Sequence, residues 1–86
     1  MMTTAEPAVR VLIVEDNEAD AFLIKKRLAE AGDVRFETDH LQTLREAVAA
    51  LERKGYDIIL LDLNLSDSER MQTVRGVAAA TDAAII

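Results

Sequence analysis

Four consecutive apolar residues, Ile58 to Leu61, run straight into a single acid, Asp62, and no other stretch restricts the fold so tightly. An unbroken apolar run of this kind, entered through Gly55-Tyr56-Asp57, reads as a strand buried on both faces, the kind found in parallel sheets covered by helices on each side. Val11 to Val14 repeats the pattern and ends in Glu15-Asp16. In an open parallel sheet, ligands sit in the crevice outside the carboxyl ends of the strands. Two strands that both finish in acid therefore point to one site, and its charge calls for a cation.

The remaining elements follow from periodicity and capping. The first strand is expected over Val9–Val14. Asn17 is a good N-cap for a first helix, with Glu18 and Asp20 in the first turn where the helix dipole favours negative charge. Ala21, Ile24, Leu28 and Ala31 recur at helical spacing, Lys25, Lys26, Arg27 and Glu30 fall on the solvated face, and Gly32 serves as the C-terminal cap. Val34 to Thr38 alternates apolar and charged residues, as an edge strand does. Thr43 and Glu46 have capping-box spacing, and Leu44, Ala47, Val48 and Leu51 form the buried stripe of a second helix that Gly55 stops. Ser66 or Ser68 caps a third helix, about Glu69 to Ala80, with Met71, Val74 and Val77 or Ala78 inward. A fourth strand is expected over Ala83–Ile86. His40 is placed at the exposed end of the second strand, as a solvated loop histidine.

Strands alternating with helices at this spacing mean βαβ units and a parallel sheet, the α/β class. The chain, 86 residues long, is one small domain, expected over residues 9–86 behind a flexible tail, residues 1–8. It has no cysteine, so neither a disulfide framework nor a thiolate metal site is available. Its first apolar run is too short and too soon acidic for a signal peptide or membrane span, and a cytoplasmic location is expected. With 10 basic against 16 acidic residues, net charge −6, nucleic acid is a poor partner for this segment, because phosphate contacts need clustered Lys and Arg.

Val11-Leu12-Ile13-Val14-Glu15-Asp16-Asn17-Glu18, taken with Asp57-Ile58-Ile59-Leu60-Leu61-Asp62-Leu63-Asn64-Leu65, closely resembles the receiver domain of two-component response regulators. That resemblance implies a flavodoxin-like (CheY-like) doubly wound parallel sheet, here with strand order 2-1-3-4 and three helices. Right-handed crossovers in that order leave the first helix alone on one face. Four strands span ~14 Å between outer axes and one helix is ~10 Å across, so that face lacks a helix. The resemblance also implies that Asp62 is the phosphoacceptor, served by a histidine kinase, a phosphotransfer protein or a small phosphodonor. Glu15, Asp16 and Asp62 would hold Mg²⁺ with the backbone carbonyl of Asn64. Carboxylate oxygens plus water suit Mg²⁺, which also neutralises a transferring phosphoryl group. Without a cation, carboxylates ~4 Å apart repel by about 4 kcal/mol at an effective dielectric of ~20 and raise one another's pKa.

The family also uses a Ser or Thr ending strand four and a Lys ending strand five, and neither motif position falls within these 86 residues. The family's Pro after the acceptor loop is Ser66 here. The expectation is a receiver truncated within strand four, a signalling module rather than an enzyme, impaired as a switch. Two other functions are open at this point. A haloacid-dehalogenase-like phosphatase also uses an Asp after an apolar strand but wants a second acid where Asn64 stands. A non-phosphorylated interaction module would instead dimerise or exchange strands through the unfinished apolar edge at Ala83–Ile86.

Overall fold

A computed structural model describes residues 8–62, 65, 70–81 and 84–86. Its elements are β1 (Val9–Val14), α1 (Glu18–Ala29), β2 (Phe36–Leu41), α2 (Leu44–Arg53), β3 (Ile58–Leu61), α3 (Arg70–Ala80) and β4 (Ala84–Ile85). All four strands are parallel, in the order β2-β1-β3-β4 expected from the resemblance. β1 lies inside the sheet between β2 and β3. Val11, Leu12, Ile13 and Val14 are accordingly at most 1% exposed, which explains why their run needs no polar alternation. At about 2 kcal/mol for each side chain removed from water, these four residues dominate the sheet's stability.

Alternation along β1 and β3 sorts the core into two halves. Leu12, Val14 and Ile59 pack with Ala47 and Leu51 of α2, Val77 of α3 and Leu65. Val11 and Ile13 pack with Ala21 of α1, joined by the half-buried Ile24, Leu28, Phe36, Ile58 and Leu60. One described helix thus serves one face and two serve the other. Phe22 and Leu23, on the outer side of α1, are 64% and 51% exposed, and Ile86 is 71% exposed.

The caps form where the sequence places them. The Asn17 side chain accepts from the Asp20 amide at 3.1 Å. At α2, Thr43 Oγ1 accepts from the Glu46 amide at 3.1 Å and donates to the Glu46 carboxylate at 3.0 Å. Gly32 is not itself the cap: α1 ends at Ala29 with Glu30 at the C-cap, and Gly32 takes the left-handed turn beyond it, φ +78°. Ala31 is exposed rather than part of the buried stripe. In α3, Val77 is buried and Ala78 exposed, so Val77 is the inward residue of that pair.

The second strand differs most from expectation. It runs from Phe36 to Leu41, two residues later at its start and three at its end, and Val34 lies outside it, 46% exposed. The register is set by Val9 opposite Phe36 and continues to Val14 opposite Leu41. Polar residues at an edge strand are tolerated where their side chains find partners. Asp39 finds Lys54 and Tyr56, and His40 finds the backbone of Glu15. The Ser66 and Ser68 caps and the Met71 side chain lie outside what the structure describes.

Candidate functional site

The β1–β3 register decides what stands at the carboxyl rim of the sheet. Val14 pairs with Leu61, so the next residue of each strand, Glu15 and Asp62, leaves the sheet side by side. Both continue the parity of Ile13 and Leu60, the α1 side. The backbone binds the two exits together: the Asp62 amide donates to the Val14 carbonyl at 2.9 Å, and the Glu15 amide donates to the Leu41 carbonyl at 3.0 Å. Asp16 follows at the start of the turn into α1. Glu15, Asp16 and Asp62 each bring a carboxylate oxygen into one cluster in which these atoms lie within 4.8 Å of one another. Glu15 and Asp62 are half-buried and Asp16 is exposed. A shallow groove beside them is lined by Val14, Ile24, Leu60, Leu61 and Ile86.

Electrostatics at the cluster follow from that crowding. Burial pushes the Glu15 carboxyl above the usual carboxylate range. The Asn17 amide, donating to Glu15 Oε1 at 3.1 Å, opposes the shift, and the negative charge of Asp62 adds to it. A hard divalent cation is the chemical answer to such a set, three oxygen donors with no imidazole or thiolate among them. The donor set therefore fits Mg²⁺ in kind. Asn64, whose carbonyl the resemblance adds as a ligand, lies outside the described residues.

Two features were not legible in the sequence. His40 sits within β2 rather than in a solvated loop; it is half-buried, with Nε2 2.7 Å from the Glu15 carbonyl oxygen. A carbonyl can only accept, so Nε2 carries the hydrogen. The alternation Phe36, Thr38, His40, carried two residues past Thr38, was the available signal. The second is a cluster on the opposite side of β2, where the Tyr56 hydroxyl and Lys54 Nζ both donate to Asp39 Oδ2, the latter at 3.0 Å. Those two donors hold the Asp39 carboxyl below its usual range. Burial, together with the bond to Asp39, pushes the Tyr56 phenol up to about 12. Lys25, Lys26 and Arg27 are exposed on α1, as the helical pattern requires.

Fold and acid placement together define a flavodoxin-like α/β domain with an acidic site at the strand ends. No family model matches the sequence. The chain is 34% identical over 73 residues to the autoinducer 2 sensor kinase/phosphatase LuxQ of Vibrio cholerae, covering 84% of this chain and 8% of that protein. A CheY-like response regulator receiver domain from Methylobacillus flagellatus superposes with a TM-score of 0.75 at 33% identity, over 85% of this chain and 59% of that one. The receiver domain of a sensor histidine kinase from Pseudomonas aeruginosa PAO1, whose structure holds a magnesium ion in its active-site cleft, superposes with a TM-score of 0.73 at 27% identity, over 85% of this chain and 57% of that one. The chain belongs to the CheY-like receiver domains of two-component signalling. It spans under three fifths of these solved chains and a small part of the kinase. Among the described residues, no helix is long and apolar enough to cross a membrane.

Proposed function

We propose that residues 9–86 form a phosphoacceptor module in which Asp62 takes a phosphoryl group from a histidine kinase or histidine phosphotransfer protein. Glu15, Asp16 and Asp62 would hold Mg²⁺, with the Asn64 carbonyl as the further protein ligand. When bound, Mg²⁺ neutralises charge on the phosphoryl oxygens and on the three acids. The chain's own residues supply the nucleophile and its aim. A carboxylate oxygen of Asp62 attacks phosphorus, the bond from phosphorus to the donor's nitrogen or oxygen breaks, and the leaving atom keeps the bonding pair. The Asp62 amide bond to the Val14 carbonyl fixes the backbone that presents this oxygen. The observation that carries the reading is the convergence of three carboxylates within 4.8 Å from two different strands.

The reading is tested by incubating the chain with acetyl phosphate and Mg²⁺ and measuring intact mass. Wild type should gain one phosphoryl group and Asp62→Asn none; equal labelling of both, or none of wild type, refutes it. The phosphoryl group adds a charge of about −1.5 to −2 beside three crowded carboxylates, so labelling should fall sharply when Mg²⁺ is withheld with EDTA.

A second reading, association through β4, rests on a different observation. β4 pairs with β3 on one side, no described strand pairs with its other edge, and Ile86 beside it is 71% exposed. An open strand edge next to apolar surface is a template for another copy of the chain.

A further inference from the structure

We propose that His40 is a positioning residue for the acidic site, its Nε2–H replacing a missing backbone rung and thereby holding the turn that carries Glu15 and Asp16. The inference rests on the metal-site reading for its consequence, though not for its geometry. In a parallel ladder, a residue that donates its N–H to one position of its neighbour accepts on its C=O from the position two residues further on. Glu15 donates to the carbonyl of Leu41. Its own carbonyl should then accept from the amide of Thr43. β2 has ended at Leu41, however, and Thr43 has turned away to cap α2 with its hydroxyl on the Glu46 amide.

The vacated position is filled from the side. His40 stands one residue before the end of β2, and its Nε2 lies 2.7 Å from the Glu15 carbonyl oxygen. Glu15 is thus held to β2 through both its peptide groups, one by backbone and one by imidazole. The second of these groups is the peptide linking Glu15 to Asp16. Without the imidazole, that peptide has no described tie to β2 and could rotate, carrying the Asp16 carboxylate away from Asp62. Asp16 is exposed, so packing offers little resistance. Partners that orient metal ligands in this way typically change metal affinity about 10–100-fold when removed.

Two substitutions separate the N–H from the bulk of the ring. His40→Phe keeps a planar ring and removes the donor. His40→Gln keeps a donor, because glutamine Nε2 is as many bonds from Cβ as histidine Nε2. Amide hydrogen exchange at Glu15 and Asn17, followed by NMR in EDTA, reads the turn directly. Calorimetric titration with Mg²⁺ reads its consequence. The thermal midpoint in EDTA shows that each variant folds. The expected result is about tenfold faster exchange at the two amides and about tenfold weaker Mg²⁺ binding in His40→Phe, with His40→Gln within about twofold of wild type in both. Unchanged exchange in His40→Phe, or a His40→Gln variant as impaired as His40→Phe, overturns the proposal even where wild type binds Mg²⁺ well. Accelerated exchange in His40→Phe alone, in a wild type that binds no Mg²⁺, supports the positioning role and removes the metal-site reading instead.

Discussion

Asp62→Asn should stabilise the metal-free fold, although it removes the residue proposed as phosphoacceptor. The carboxylate oxygens of Glu15, Asp16 and Asp62 lie within 4.8 Å of one another, and Asp62 takes part in two of the three pairs. At such a separation two unit charges repel by about 1 kcal/mol in water and about 3.5 kcal/mol at an effective dielectric of ~20. Asp16 is exposed, so its pair with Asp62 sits near the lower figure; Glu15 and Asp62 are half-buried, so theirs lies between. Removing both repulsions is worth roughly 2 kcal/mol at low ionic strength, while an Asn side chain still offers an amide to the neighbouring Glu15. For a domain of this size that is an upward shift of the thermal midpoint of about 10 °C in EDTA. Mg²⁺ should reverse the comparison. At about a hundredfold its dissociation constant, a ligand specific for the folded state adds about 2.7 kcal/mol to wild type, more than the roughly 2 kcal/mol gained by the variant, whereas Asp62→Asn has lost a ligand and should respond weakly. Calorimetric or circular-dichroism melts in EDTA and across a Mg²⁺ series decide the matter. An Asp62→Asn midpoint at or below that of wild type in EDTA, or parallel Mg²⁺ responses, would show that the three charges do not strain the apo fold.

Tyr56→Phe removes a hydroxyl from Asp39 and should cost about 1 kcal/mol at neutral pH in chemical denaturation. The phenol's pKa is raised on folding to about 12, so its contribution is full below about 10 and fades as the pH rises toward 12. The Asp39 carboxyl is lowered on folding, so its share is present above about 3.9 and is lost as the pH falls through its folded value; the gap between wild type and Tyr56→Phe should narrow at both extremes. Thr43→Ala removes both bonds of the α2 cap and should lower stability by about 1 kcal/mol, with a melt as the readout. Light scattering across a concentration series should show self-association through the open edge of β4; a monodisperse monomer throughout refutes that reading.

Legibility in the sequence tracked how local the cause was. β1 and β3 announce themselves because strands packed on both faces have no polar positions, and each hands its acid to the rim directly. Asn17 and Thr43 were readable because a cap and its target lie three residues apart. The apolar Val34 and Phe36 draw the expected β2 toward an early start, while the polar Asp39 and His40 hide its true end. The polarity of those two is explained only by residues far along the chain, Lys54, Tyr56 and Glu15. The role of His40 comes from a ladder bond left open when β2 gives way to α2, which no pattern within the strand itself displays. The acidic trio, by contrast, needed nothing beyond strand direction and order to be brought together.

The pairing of Val14 with Leu61 sets a rule for which length changes this chain can absorb. Successive residues of a strand point to opposite sides, so deleting or adding one residue inside β1 or β3 would turn its acid toward α2 and α3 and carry Leu61 or Val14 to the rim in its place. The stretch between α1 and β2 has no such bookkeeping and could gain or lose several residues. Insertions and deletions found in natural variants of this domain should therefore collect in residues 30–35, leaving both strands at constant length.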